Sequence, residues 1–519
     1  MLAAMPPAPA PYPLPAAAAA RTREDACPGA LRLHTADDGA LARIRIPGGL
    51  LNPTQAKALA AVSQDLGDGR LHLTSRGNVQ VRGLDPTSGE ALAARLGAAG
   101  LLPSAQHERV RNIVASPLSG LDGEGYADTA RWVRQLDALL CSQERAAGLS
   151  GRFLFALDDG RGDVRALDAD VTLVAEPAGS VLLHLGGASA PALRIPRGAD
   201  AVRAAWCTAL AFLDAADGCA PEAAAGGRIW RVRDLPAPHR PSPADVAALA
   251  ARHDVPTETV PHRPAPSAPA PPPAPGVLTG ADGRVTLSVL LPLGQVGADA
   301  WERLADLAAG GDGELRVTPW RGVLVPGIAP DTGPGDGLPA EHLVTDPDSP
   351  WRDVGACTGR PGCAKSHADV RADAAAAVRG TATGSAQPIA PASARAGRPL
   401  PVYWSGCERR CGRPSGPHVQ VTAGADGYRV TTATAATPGG TQDGTPQAGP
   451  DAAAPVTPVD ELASAIARAR ASGTAADTPH PASGTPRAAS GAARTDRQET
   501  PEHPEPGTLP APHPAEPPR

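Results

Sequence analysis

Two short stretches hold the residues whose types and spacing could do chemistry. "ACTGRPGCAKSHADV" (356–370) carries Cys357 and Cys363 with five residues between them, and "YWSGCERRCGRPSGPHVQV" (403–421) carries Cys407 and Cys411 with three between them. Four thiols in two pairs suit a metal. Zinc knuckles usually keep each pair two to four residues apart. An iron-sulfur cubane also takes four thiolates, and its larger body accepts wider and unequal spacing. The spacing favours the cluster, with a structural zinc site as the alternative. Cys27, Cys141, Cys207 and Cys219 are scattered without ligand spacing and read as ordinary thiols.

The neighbours of the four thiols sharpen this reading. Arg360, Lys365, Arg409, Arg410 and Arg413 surround them. Taken singly, each is an ordinary solvated charge. Together they suit an anionic cofactor or substrate with several carboxylates. Gly355, Gly359, Gly362, Gly406 and Gly412 allow backbone N–H groups to approach sulfur.

These loops need a scaffold, and two similar segments supply part of it. One runs from Ala42 ("ARIRIPGGLLNPTQAKALAAVSQDLGDGRLHLTSRGNVQVRGL") and the other from Val285 ("VTLSVLLPLGQVGADAWERLADLAAGGDGELRVTPWRGVLVPGI"). Each reads as a strand, a proline and glycine loop, an Ala/Leu-rich helix, a Gly-Asp turn and a second strand. Ala42, Ile44 and Ile46 alternate with Arg43 and Arg45 as in a half-buried strand, and Asn52-Pro53 reads as an N-cap followed by Pro at the first helical position. A lone unit of this kind exposes one face, so two copies are expected to pack as pseudo-symmetric halves. Pro47 to Arg76 spans the same distance as Pro292 to Arg321, so the Arg76 and Arg321 strands are expected side by side.

Composition sets the limits. The 519 residues include 60 prolines, 57 glycines and 3% aromatics, too loose a mixture to be packed throughout. A net charge of -6 gives no footprint for nucleic acid, and no basic run marks a membrane surface. The N-terminal alanine run is broken by prolines and lacks a preceding basic region, so it fails as a signal peptide or membrane span, and a cytoplasmic location is expected. The expected partition is a disordered tail 1–26, a first half-domain 27–103, an α+β domain 104–235, a Pro-rich linker 236–278 with a short helix at 244–252, a second half-domain 279–340, the cysteine-bearing α+β domain 341–430, and a mostly disordered tail 431–519 with a helix at 459–471.

With C-x5-C and C-x3-C following a duplicated unit, the chain resembles the sulfite and nitrite reductase superfamily, whose members hold a [4Fe-4S] cluster against a sirohaem. "LTSRGNVQV" and "VRNIVASPLSG" resemble the family's Thr-Arg and Arg-Asn segments. Within the superfamily, "CPGALRLHTADDGALARIRIPGG", "ACTGRPGCAKSHADVR" and "GCERRCGRPSGPHVQV" look most like its cobalamin-pathway branch, the precorrin-3B synthases. The resemblance implies an α+β fold. It comprises a pseudo-twofold repeat of ferredoxin-like half-domains together with sirohaem and [4Fe-4S]-type domains, and the macrocycle is bound between them.

The resemblance also assigns residues. Cys357, Cys363, Cys407 and Cys411 would bind the cluster, while Arg76, Asn78, Arg111, Asn112, Arg152 and Lys365 would meet the tetrapyrrole. Reductases of the superfamily usually show Lys-Phe-Lys where this chain has Arg152-Phe153-Leu154. A neutral leucine removes a charge that oxyanion reduction needs, which favours an oxygenase. The implied reaction is oxygen-dependent hydroxylation of precorrin-3A with γ-lactone formation. Sirohaem-dependent sulfite or nitrite reduction is the alternative enzyme, and an iron-sulfur or zinc-binding module without catalysis is the alternative of another class. No G-x-G-x-x-G or flavin motif appears, so electrons should come from a ferredoxin or an NAD(P)H-dependent reductase. Sirohaem or a mononuclear iron are further cofactors that the resemblance admits. His34, His72, His107 and His367 are candidate iron ligands that the sequence does not rank.

Overall fold

Asn52 caps the first long helix as its sequence requires. Its side chain accepts from the Gln55 N–H, the Gln55 side chain returns to the Asn52 N–H, and Pro53 takes the first helical position. The computed structural model describes residues 25, 27–187, 191–219, 229–261, 270–329, 343–379, 400–414, 416–433, 457 and 461–472. All of them fall within one compact unit, Met1–Ala475.

The first half-domain comprises β1 (His34–Ala36), β2 (Gly39–Ile44), β3 (Leu50–Leu51), α1 (Pro53–Leu66), β4 (Arg70–Leu73), β5 (Val79–Leu84) and α2 (Gly89–Ala98). An α+β domain follows with β6 (Ile113–Ala115), α3 (Thr129–Ser142), β7 (Phe155–Asp158), β8 (Val171–Ala175), β9 (Val181–Leu185), β10 (Ala192–Ile195), α4 (Ala201–Gly218), α5 (Pro243–Arg252) and β11 (Glu258–Thr259). The second half-domain has β12 (Gly276–Thr279), β13 (Val285–Leu290), β14 (Gln295–Gly297), α6 (Ala298–Gly310), β15 (Leu315–Val317) and β16 (Gly322–Pro326). The cysteine-bearing domain has β17 (Val354–Ala356), α7 (Val370–Arg379), β18 (Val402–Ser405), β19 (His418–Gly424), β20 (Gly427–Ala433) and α8 (Leu462–Ser472).

The half-domains exchange strands. Their sheets run β1-β2-β5-β4-β14 and β12-β13-β16-β15-β3, so each is completed by a strand from the other half. Gly49 permits one of these exchanges: its φ is 72° and a Cβ there would lie 1.9 Å from the Val317 carbonyl oxygen. Helices α1 and α6 pack together, and the Trp301 indole donates to the Ala56 carbonyl at 2.9 Å. Both halves therefore share one apolar core.

The repeat is real at the level of backbone. Pro47-Gly48-Gly49 and Pro292-Leu293-Gly294 form matching turns with φ of 60° and 72° in one and 54° and 74° in the other. The turns closed by Thr74 N–H to Asn78 O (2.9 Å) and Thr318 N–H to Gly322 O (2.8 Å) also match. Their left-handed residues are Gly77, at φ 64°, and Arg321, at φ 63°. This corrects the expected pairing. Arg321 stands in the place of Gly77, Trp320 in that of Arg76, and β5 and β16 lie in different sheets.

The α+β domains match each other too. In one, β6, β7 and β8 are parallel and β9 is antiparallel; in the other, β17, β18 and β19 are parallel and β20 is antiparallel. Each half-domain reaches a loop of an α+β domain. Arg316 of β15 donates to the Pro117 and Ser119 carbonyls at 2.8 and 2.7 Å, and Arg82 of β5 donates to the Gly362 carbonyl at 3.0 Å.

Three boundaries differ from expectation. The segment read as a linker from 236 contributes Val246, Leu249 and Ala250 of α5 to the core of the first α+β domain, and β11 pairs with β10. Apolar residues on one face of α5 are enough to dock it despite the surrounding prolines. In the C-terminal tail, Leu462 and Ile466 of α8 enter the core of the cysteine-bearing domain. Asp25, placed in the N-terminal tail, is fully buried and accepts from the Ser150 hydroxyl and the Gly151 N–H, both at 2.8 Å. The disorder expected for 1–24 and 473–519 lies outside the described residues. Among the described residues no helix is long and apolar enough to cross a membrane.

Candidate functional site

Strands β17 and β18 run parallel with Ala356 opposite Trp404, so the chain leaves both at the same end, toward Cys357 and Cys407. The Cys357 N–H donates to the Trp404 carbonyl at 2.9 Å, and the Gly406 N–H donates to Cys357 Sγ at 3.2 Å. The two loops are laced together by the His367 N–H on the Gly406 carbonyl, 2.8 Å. Glycine is required at 406, where a Cβ would lie 1.9 Å from Ser366 Oγ. The Tyr403 hydroxyl ties down the last cysteine by donating to the Cys411 carbonyl at 2.7 Å.

Burial first, then Cys407, Cys357 and Cys363, push the Cys411 thiol up. Cys411 is exposed and the other three are half-buried. The four thiols lie on one glycine-lined pair of loops, a donor set that suits a thiolate-bound metal centre.

The first half-domain grips this loop. Arg82 holds Asp38 through two hydrogen bonds of 2.8 and 2.7 Å while donating to Gly362, and the Ala364 N–H donates to Asp37. Lys365, a predicted tetrapyrrole contact, is exposed.

Arg43 of β2 and Arg45, the residue just beyond its end, share one face and converge on Cys27. Arg45 Nη2 lies 3.2 Å and Arg43 Nη1 3.6 Å from its sulfur. Arg45 also donates to the Gly151 and Arg109 carbonyls at 2.8 and 3.1 Å. Arg76 donates to the Arg152 carbonyl at 3.4 Å, and Arg152 stacks over Trp230 at 4.1 Å. Burial first, then Arg231 and Arg45, push the Arg76 guanidinium down to about 10. Burial and Arg45 likewise lower that of Arg43. Among the described residues, Arg43, Arg45 and Arg76 make no carboxylate ion pair, whereas Arg231 is held by Asp170 at 2.8 Å. The structure thus brings Arg76 and Arg152 together with three arginines that the sequence reading missed. The alternation of residues 42–46 set Arg43 and Arg45 opposite the apolar residues, but it could not show what they face.

The other predicted contacts are occupied within the protein. Arg111 makes a two-pronged pair with Asp137 at 2.6 and 2.7 Å and donates to the Leu101 carbonyl. Asn78 accepts from the Ile46 N–H and donates to Asn112, which donates in turn to the Phe153 carbonyl at 3.1 Å. These buried amides fix the backbone at Ile46 and Phe153, next to Arg45 and Arg152. Leu154 is 1% exposed and packs with Val114, Ala156, Val164 and Ala169, against which Leu167 and Trp320 rest. Of the candidate histidines, His107 has both ring nitrogens engaged, by Ser104 and by the Gln143 carbonyl.

Comparisons with known proteins agree with this architecture. The nitrite/sulfite reductase ferredoxin-like half domain matches residues 34–99 and 279–334, one in each half-domain. A precorrin-3B synthase from Sinorhizobium sp is 29% identical over 415 residues, covering 78% of this chain and 82% of that protein. A ferredoxin–nitrite reductase from Synechococcus elongatus is 35% identical over 127 residues, 23% of this chain and 25% of that one. Among solved structures, the NirA protein of Mycobacterium tuberculosis shares the fold, with a TM-score of 0.58 and 20% identity over 75% of this chain and 74% of that chain. Two ferredoxin-like half-domains that exchange strands, each matched by the nitrite/sulfite reductase half-domain, and two matched α+β domains make this chain similar to oxidoreductases of the nitrite and sulfite reductase type.

Proposed function

We propose that the chain catalyses oxygen-dependent hydroxylation of precorrin-3A with γ-lactone formation, a step of cobalamin biosynthesis. One atom of dioxygen enters the macrocycle and the other leaves as water, which takes two electrons and two protons. The observation that carries this reading is the group of Arg43, Arg45 and Arg76, cations without carboxylate partners among the described residues, set in the same part of the molecule as Arg152. A reduced tetrapyrrole with acetate and propionate arms supplies the carboxylates that such a group lacks. Its similarity to precorrin-3B synthase, which spans most of both chains, supports the same substrate.

A [4Fe-4S] cluster held by Cys357, Cys363, Cys407 and Cys411 would supply electrons one at a time, fed by a ferredoxin or an NAD(P)H-dependent reductase. The arginines would bind and orient the macrocycle by its rim. Leu154 and its apolar neighbours would exclude water. A second reading, sirohaem-dependent reduction of sulfite or nitrite, draws on the partial nitrite reductase relatives. Against it stands Leu154, which contributes no charge to an oxyanion and is sealed in an apolar cluster.

The test is isotopic. Purified chain, precorrin-3A, an electron source and labelled dioxygen should give a product one labelled oxygen atom heavier. Reduction of sulfite or nitrite with reduced viologen, without oxygen incorporation, would favour the second reading. A visible spectrum of anaerobically purified protein separates cluster alone, a broad shoulder, from bound sirohaem, with strong red bands.

A further inference from the structure

Arg371 stands between the cysteine loop and the first half-domain. It is the second residue of α7, and its Nε donates to the Cys357 carbonyl at 3.1 Å. From the same guanidinium, Nη1 lies 3.2 Å from His72 Nδ1 on β4, and Gln295 Nε2 of β14 approaches the same ring nitrogen at 3.3 Å. A ring nitrogen facing an arginine donor must be the acceptor, so His72 is neutral and carries its proton on Nε2. That nitrogen is 3.5 Å from the Asp68 carboxylate. Burial first, opposed by Asp68 and reinforced by Arg371 and Arg82, lowers the His72 pKa in agreement with the neutral form.

The charge on Arg371 is poorly balanced. Among the described residues it makes no carboxylate ion pair, and a guanidinium is a cation at neutral pH. A cation fixed at the first cysteine and short of counter-charge favours the arrival of negative charge there. We propose that Arg371, anchored by the neutral ring of His72, raises the electron affinity of the centre bound by Cys357, Cys363, Cys407 and Cys411. This rests on reading those cysteines as the ligands of a redox cluster. Arg371 and His72 are positioning residues, since neither side chain supplies a ligand.

The experiment uses the full chain, reconstituted anaerobically with ferrous iron and sulfide. Iron and sulfide content is measured first, and the midpoint potential of the reduced centre is then titrated by electron paramagnetic resonance. R371Q removes the charge and H72L removes its anchor from a different domain, while R371K keeps the charge and H72Q keeps an acceptor. Both R371Q and H72L should shift the reduction equilibrium about tenfold toward the oxidised form, 59 mV for one electron. R371K and H72Q should stay near the wild type. Loaded R371Q and H72L with the wild-type potential would overturn the proposal. So would poorer loading with an unchanged potential in the clusters that remain, because that is the result of a purely structural role. A wild-type chain that takes up no iron and sulfide is a separate outcome, which removes the four-cysteine reading itself.

Discussion

Cys357 and Ser116 hold the same place in two domains of one design. Each follows the first strand of its sheet and donates its N–H to the neighbouring strand, to Trp404 O at 2.9 Å and Leu157 O at 3.0 Å. Each side chain accepts a backbone N–H from that strand's exit, Gly406 to Cys357 Sγ at 3.2 Å and Asp159 to Ser116 Oγ at 3.1 Å. The consequences diverge because the side chains do. Around Cys357 the loops carry sulfur. Around Ser116 they carry Asp158, Asp159 and Asp163, with Arg161 paired to Asp159 at 2.8 Å and to Asp122 at 2.7 Å.

Asp163 leads to a prediction about stability. Its carboxyl accepts from the Ser116 hydroxyl at 2.6 Å, yet burial, with Asp158 and Asp159 adding, pushes it up to about 6. The folded chain therefore holds this proton to higher pH than the unfolded chain. Stability from this group is fully present below about pH 4 and is lost as pH rises through 6, by up to about 3 kcal/mol. Asp163→Asn keeps an oxygen to accept from Ser116 and has no charge to bury. Chemical denaturation across this window should show the variant more stable than wild type at pH 7, with the gap closing below pH 4. Parallel curves for the two proteins would refute the assignment.

Arg111 and Arg76 should behave differently when truncated. Arg111→Ala leaves Asp137 without its two-pronged partner and should lower folding stability by about 1.5–3 kcal/mol. Arg76→Ala removes a cation whose guanidinium, among the described residues, makes a single 3.4 Å hydrogen bond, so the thermal midpoint should hardly move. Precorrin affinity should instead fall by about 1.5–3 kcal/mol, the worth of a charge-assisted hydrogen bond. Calorimetry and a binding titration on both variants separate the roles, and the reverse pattern would exchange them.

Much of this was legible in the sequence because it depends on local chemistry. The Asn52-Pro53 cap, the alternation of β2, the duplicated unit and the two cysteine pairs each follow from a few adjacent residues. Pairings across hundreds of residues were not legible. The exchange of β3 and β14, the grip of Arg82 on Gly362 and the pairing of Arg111 with Asp137 are settled by how sheets meet, which no spacing records. Equal spacing misaligned Arg76 with Arg321 because the second repeat is one residue shorter between its proline turn and its Thr318 turn.

The cysteines yield the prediction about metal. Reconstituted chain should hold about four irons and four acid-labile sulfides, and changing any one of Cys357, Cys363, Cys407 or Cys411 to Ser should lose both. Gly406→Ala, which drives a methyl into Ser366, should reduce loading without touching a ligand. Stoichiometric zinc without sulfide would leave a structural site in place of a redox centre.

Oxygen uptake on precorrin-3A tests the account most directly. Wild-type chain carrying its reconstituted metal centre and supplied with an electron donor should consume dioxygen only when precorrin-3A is present, and the product should gain one oxygen atom. Robust reduction of sulfite or nitrite by the same preparation, with no oxygen uptake on precorrin-3A, would contradict it.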